Sequence, residues 1–295
     1  MSNVFERMNN IALTKGPLMA GLDPCLTKIE ELFFSHERQE GGEDDFNYHR
    51  RLLSMFGDMY ITNLKNFVGA IKINPAFYEA LKMQALLDDV AWNAKSGDML
   101  VVADVKRGDT GKTANELAKA YFDVYSAVDA ITINPYFGLD GVKPFVDCAV
   151  KHGKGVIVVV KTPNKSADDF QNLRVEGGRK LYEVVADKIE EWGESYRNEN
   201  EEFSPIAAMI GTPDPKEAQE LRERLQHTYI IVPGINDPSD IRNYVFSDGS
   251  GAMVCSSSPI MYAKKDDRYS SYTAEEAMKK AARELQDELK RNIGM

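Results

Sequence analysis

Asp104, Lys106 and Asp109 stand together in Ala103-Asp104-Val105-Lys106-Arg107-Gly108-Asp109, directly after an apolar run. A second lysine, Lys72, lies inside Ala70-Ile71-Lys72-Ile73. A lysine in so apolar a setting costs about 3 to 5 kcal/mol if its charge is orphaned, so a carboxylate partner is expected. The Asp, Lys, Asp set one strand away would supply it. Schiff-base aldolase chemistry at Lys72, Lys106 or Lys161 is one alternative. The aspartates count against it, because they raise a lysine's pKa whereas a Schiff-base lysine needs it lowered. A metal held by Asp104 and Asp109 is another, but Lys106 between them would repel the ion. The pattern favours lysines that act as charged ammonium groups.

Other chemistries find little support. His36, His49, His152 and His227 fall in helical or loop segments without ligand spacing, and no metal is expected. Gly111-Lys112-Thr113 resembles the tail of a P-loop, but the first glycine of that motif would fall at Lys106. No Gly-x-Ser-x-Gly elbow occurs. The net charge of -10 argues against nucleic-acid or anionic-membrane partners. Cys25, Cys148 and Cys255 are too dispersed for a disulfide framework, which points to a reducing compartment. The start, MSNVFERMNN, lacks a signal peptide's apolar run, and no stretch approaches a membrane span of about 18 to 20 apolar residues. A cytoplasmic protein is expected.

The elements that must position these charges repeat along the chain. Short apolar runs occur at Leu18–Leu22, Val68–Ile73, Met99–Ala103, Ala130–Ile133, Gly155–Val160, Ile206–Ile210, Tyr229–Val232 and Ala252–Cys255. They do not alternate with polar residues, as befits strands buried on both faces. Helix-period stretches separate them, the clearest being Ala114–Phe122, Gly178–Gly193, Pro215–Gln226 and Thr273–Lys290. Strands alternating with helices predict an α/β fold, a (β/α)8 TIM barrel, as a single domain over 1–295. A doubly wound open sheet is the rival, but its GxGxxG fingerprint is absent after the first run. His36–Asp45 and Ser195–Phe203 are expected as polar insertions within the domain. Barrel active sites lie at the C-terminal strand ends. There the sequence offers Asp23, Lys72, Asn74, Asp104, Lys106, Asp109, Asn134, Lys161, Thr162, Pro233, Gly234, Asn236 and Ser256–Ser258.

These residues resemble the orotidine 5'-phosphate decarboxylase family, in its longer bacterial and protozoal branch. That branch carries D-x-K-x-x-D after the third strand, present here from Asp104 to Asp109 and continuing to Thr113. The resemblance extends to Gly21-Leu22-Asp23-Pro24, to Lys72 through Tyr78, and to Asn134-Pro135-Tyr136, Lys161-Thr162 and Val232-Pro233-Gly234. It implies cofactor-free decarboxylation of a pyrimidine nucleotide, orotidine 5'-phosphate, to UMP. Lys72, Asp104, Lys106 and Asp109 would form a charged tetrad, with Lys106 stabilising a C6 carbanion and then protonating it. Asp109, Thr110 and Thr113 would reach into a neighbouring subunit's site, making an obligate homodimer. Asp23 and Asn74 would contact the ribose side, Thr162 would lie near the base, and Pro233, Gly234, Ser257 and Ser258 would stand at the phosphate end.

The sequence departs from the family at that last end. The usual PG-x-G-x-Q-G is Pro233-Gly234-Ile235-Asn236-Asp237-Pro238, so the glutamine is missing and an aspartate arrives. The arginine expected after the last strand falls at Ser258, and Pro163 replaces a serine after the fifth. An arginine–phosphate bond is worth roughly 1.5 to 3 kcal/mol, or about 10- to 150-fold. Three readings follow. The phosphate is held by backbone N–H groups with the Ser257 and Ser258 hydroxyls; the chain is a paralogue for a related nucleoside or nucleotide with a different or absent phosphate; or it is a non-catalytic barrel with a binding role.

Overall fold

The structure, a computed structural model, describes residues 2–37, 39, 41–124 and 127–295. Eight strands run β1 Leu18–Leu22, β2 Ala70–Ile73, β3 Leu100–Arg107, β4 Ala130–Ile133, β5 Gly155–Lys161, β6 Ile206–Ile210, β7 Ile230–Val232 and β8 Ala252–Ser256. Each pairs in parallel with the next, and β8 returns to β1 through Leu18↔Val254, Met19↔Cys255 and Ala20↔Ser256. The barrel closes as expected, and the open-sheet alternative is set aside.

Helices alternate with the strands: α1 Val4–Thr14, α2 Leu26–Phe33, α3 Asp45–Leu64, α4 Ala76–Glu79, α5 Leu86–Ser96, α6 Gly111–Lys119, α7 Leu139–Lys151, α8 Leu181–Glu194, α9 Pro215–Arg224, α10 Ser258–Met261 and α11 Ala274–Asn292. The four helices anticipated from periodicity correspond to α6, α8, α9 and α11. The first begins earlier than expected and passes at Ala120–Val124 into a π-helical turn. The expected His36–Asp45 insertion links α2 to α3, with residues 38 and 40 outside the described residues. Ser195–Phe203 links α8 to β6.

The unbroken apolar runs serve two cores. Leu18, Ala20 and Leu22 of β1 pack toward the helices with Ile71, Val101, Ile131 and Val158. Met19 faces the barrel interior with Ala70, Val102, Ala130, Ile157, Met209, Ile231, Met253 and Cys255. Strand side chains alternate between faces, so both periodic sets must be apolar. The end of the interior at the strand starts is plugged by α1, whose Val4, Phe5, Met8 and Ala12 are fully buried there. Asn3 caps α1 by accepting from Phe5 N and Glu6 N, and its amide donates to Phe203 O ahead of β6. At the other terminus the buried Gln286 of α11 accepts from Leu18 N and donates to Lys15 O and Phe67 O, tying the last helix to the entries of β1 and β2. With one end of the barrel filled, the opposite mouth is left for chemistry.

Candidate active site

β2 delivers Lys72 into that mouth beside Gly21 of β1 and Val102 of β3. Gly21 is required by close approach: a Cβ there would lie 1.9 Å from Ser257 Oγ. Lys72 Nζ donates to Asp104 Oδ2 at 2.6 Å, and Lys106 Nζ donates to Asp104 Oδ1 at 2.5 Å. Thr132 Oγ1 of β4 donates to the same Oδ1 at 2.8 Å. The side chains of Lys72 and Asp104 are 6% and 5% exposed, whereas Lys106 is 48% exposed. The carboxylate is thus the buried floor, and Lys106 is the ammonium that reaches the open mouth.

Charge holds these protonation states. Burial favours a neutral Asp104, but the ammonium groups of Lys72 and Lys106 outweigh it and hold the carboxyl down at about 2. Burial works to lower Lys72, yet the Asp104 and Asp23 carboxylates near it leave its pKa raised. The Cys255 thiol beneath is pushed up to about 11 by burial and stays protonated. At neutral pH the floor therefore carries one carboxylate between two ammonium groups.

The backbone of β3 is irregular where this happens. Pairing with β4 runs Val102↔Ala130 and Ala103↔Ile131, then jumps to Arg107↔Ile133. Lys106 adopts φ 45°, a left-handed conformation costing a non-glycine residue about 1 to 2 kcal/mol. Its N–H donates to Thr132 Oγ1 at 2.9 Å.

Asp109 stands apart from this cluster. Its Oδ1 accepts from Thr110 N at 2.7 Å, and among the described residues it forms no ion pair with Lys72 or Lys106. Thr110 and Thr113, at the start of α6, are exposed. Beside them lies an apolar rim: Tyr136 is 81%, Phe137 48% and Leu139 42% exposed. A Cβ on Gly108 would come within 3.3 Å of the Phe137 ring, so this rim and the Asp109 loop are one surface.

The remaining sequence-chosen residues ring the mouth. Among the described residues, Asp23 Oδ1 is buried without a hydrogen-bond partner, as is the Tyr78 hydroxyl. Asn74 Oδ1 accepts from Ala76 N and starts α4. Thr162 Oγ1 accepts from Gln171 Nε2 at 2.7 Å and donates to Asn164 Oδ1 at 2.7 Å, so it fastens the loop after β5. Lys161, read from sequence as a mouth residue, turns aside to Asn172 Oδ1, with its ammonium 4.8 Å from the Tyr182 ring centre. At the far side, Gly234 takes φ 94° after Pro233. Asp237 Oδ1 accepts from Ser239 N at 2.8 Å, and this bond holds its exposed carboxyl below the usual range. Ser257 is half-buried against Gly21, and Ser258 is exposed. A groove of about 770 Å³ leads outward from Lys106 and Asn134 past Tyr136, Phe170, Tyr182 and Val185. It meets the charged cluster at Lys106.

Sequence reading missed Thr132, Cys255 and Tyr78. Thr132 had a signal, as the only polar residue in Ala130-Ile131-Thr132-Ile133. Cys255 ends the last apolar run and Tyr78 lies in the Lys72–Tyr78 stretch of the family resemblance, and the sequence assigns neither a role. Away from the mouth, Asp123, Cys148 and His152 form a cluster of metal-ligand types, in which Cys148 Sγ and His152 Nε2 lie 3.7 and 2.8 Å from Asp123 Oδ1.

Comparison with known proteins accords with this arrangement. Residues 58–266 match the sequence model of the Orotidine 5'-phosphate decarboxylase / HUMPS family. An orotidine 5'-phosphate decarboxylase of Caldicellulosiruptor saccharolyticus is 32% identical over 95% of this chain and 98% of its own length. One from Clostridium acetobutylicum is 28% identical over 98% of this chain and 100% of its own. Among solved structures, the Leishmania donovani OMP decarboxylase superposes with a TM-score of 0.76 at 28% identity, covering 100% of both chains.

Proposed function

Because the chain belongs to the Orotidine 5'-phosphate decarboxylase / HUMPS family, we propose that it converts orotidine 5'-phosphate to UMP and CO2 for pyrimidine biosynthesis. It does so as a cofactor-free carboxy-lyase, in one barrel domain spanning 1–295. The observation that carries this reading is the ladder Lys72–Asp104–Lys106, in which only Lys106 is open to the mouth.

Decarboxylation breaks the bond between C6 and the carboxylate and leaves the electron pair on C6. No ring carbonyl is placed to delocalise that pair well, so fixed positive charge near C6 must lower the barrier. Lys106 supplies it and then transfers its proton to C6, giving UMP; solvent returns a proton to the amine. Asp104 aims the Lys106 ammonium through their ion pair, and crowds the departing carboxylate. Lys72 offsets the buried negative charge and orients the ribose with Asp23 and Asn74. Thr162 lies near the base.

The working unit is a homodimer. Asp109, unpaired with either lysine and flanked by the exposed Tyr136, Phe137 and Leu139, fits a loop that completes the tetrad of a second copy together with Thr110 and Thr113. The protein acts in the cytoplasm: Cys25, Cys148 and Cys255 are all free thiols, and among the described residues no helix is long and apolar enough to cross a membrane.

The phosphate is held at Pro233, Gly234, Ser257 and Ser258 by backbone N–H groups and serine hydroxyls. One observation favours a second reading, a related nucleoside or nucleotide with a different or absent phosphate: the Asp237 carboxyl is kept ionised at that end. Turnover of orotidine 5'-phosphate in D2O tests the main proposal. The expected products are CO2 and UMP carrying one deuterium at C6. A folded dimer that yields no UMP, or UMP without that deuterium, overturns it.

A further inference from the structure

We propose that Thr132 is a positioning residue for this chemistry, one hydroxyl that holds the proton donor and the carboxylate that aims it in a fixed relation. The inference rests on the reading that Lys106 is the donor. Thr132 Oγ1 accepts from Lys106 N at 2.9 Å and donates to Asp104 Oδ1 at 2.8 Å. The direction of both bonds is forced. An ionised Asp104 only accepts and a backbone N–H only donates, so the single hydroxyl proton must point to the carboxylate.

The backbone explains why a side chain is needed here. From Ala103↔Ile131 to Arg107↔Ile133, β3 advances four residues while β4 advances two. An N–H inside such a bulge loses its ladder acceptor, and a buried unpaired N–H is costly. The Thr132 hydroxyl replaces the missing strand acceptor at Lys106 and stabilises its φ of 45°. That turn carries the Lys106 ammonium back to Asp104 Oδ1. Thr132 is fully buried and β-branched, so its side chain has little rotational freedom with which to drop either bond. Thr132 therefore sets geometry without forming part of the open surface.

Thr132→Val keeps the shape and removes both bonds; Thr132→Ser keeps both. For orotidine 5'-phosphate, Thr132→Val is expected to lower kcat roughly 10- to 100-fold while KM moves less than about threefold. Thr132→Ser should recover kcat to within about threefold of the parent. Amide hydrogen exchange gives a readout independent of turnover: the Lys106 amide should be protected in the parent and exchange at least about tenfold faster in Thr132→Val. A Thr132→Val enzyme with parental kcat and Lys106 exchange overturns the proposal. So does a Thr132→Ser enzyme as impaired as the valine variant. If the parent shows no turnover, the decarboxylase reading fails, and Lys106 exchange alone judges Thr132. If Thr132→Val does not fold, an unprotected Lys106 amide in the parent overturns the role and a protected one, with parental kcat in Thr132→Ser, supports it.

Discussion

On the β2 to β4 side of the mouth, Lys72, Asp104, Lys106 and Thr132 are joined by contacts of 2.5 to 2.9 Å over a buried floor. On the β7 and β8 side, Asn236, Asp237 and Ser258 are exposed, and Asp237 spends its carboxylate on Ser239 N of its own turn. The first side is over-determined: each charge has a partner, and moving one orphans another. The second carries no arginine or lysine between Pro233 and Asp237 or between Ser256 and Met261. Under the proposed function, the contrast separates bond-breaking chemistry from grip on the distal end of the substrate. The first is fixed by buried pairing, while the second is set by loop residues free to change.

The largest effect is expected from breaking the buried side. Asp104→Ala strands Lys72 in an apolar setting and should cost about 3 to 5 kcal/mol of stability in denaturant unfolding. The parent should also show a matching pH dependence. Asp104 is depressed to about 2, so its contribution is present above its unfolded value near 4 and is lost as pH falls through 2. The loss should amount to roughly 2 kcal/mol. Lys72 is raised, so its contribution persists below its unfolded pKa and disappears only as pH climbs beyond it. A parent whose stability does not fall between pH 4 and 2 contradicts the pairing.

Smaller effects belong to the β7 and β8 side. Ser258→Arg places a cation where the family resemblance expects one, and should raise kcat/KM for orotidine 5'-phosphate about 10- to 150-fold. Asp237→Asn keeps the cap to Ser239 N but removes the charge, and should give a rise of about two- to fivefold. Neither change should alter unfolding free energy by more than about 0.5 kcal/mol. If Ser258→Arg leaves kcat/KM unchanged, the phosphate does not bind where the family binds it, and the contrast between the two sides loses its second half.

The barrel was legible because parallel strands buried on both faces leave continuous Val and Ile runs. Several runs match their strands at both ends, as at Leu18–Leu22 and Ala130–Ile133. β3 extends four residues past its apolar run, to Arg107, because a bulge and a threonine hydroxyl sustain it through polar residues. Nothing local in Asp104–Arg107 announces that. The pairing of Lys72 with Asp104 could be anticipated, since a lysine among isoleucines demands a carboxylate. The outward turn of Lys161 could not, because its partners Asn172 and Tyr182 come from a loop and a helix whose placement only tertiary structure fixes. The role of α1 as a plug was hidden for a similar reason. Its Val4, Phe5, Met8 and Ala12 are spaced along a segment that looks polar overall, and they acquire meaning only against the strand starts.

The central claim is that Lys106, held by Asp104, drives decarboxylation at a pyrimidine C6. Initial rates of orotate absorbance loss, measured with orotidine 5'-phosphate and with orotidine for the parent and Lys106→Ala, test it most directly. The expected result is turnover of orotidine 5'-phosphate in preference to orotidine by the parent, and a loss of about 10⁴-fold or more in Lys106→Ala. A preference for orotidine would transfer the chemistry to a phosphate-free substrate. Parental rates in Lys106→Ala, or no turnover of either compound by the folded parent, would contradict the account.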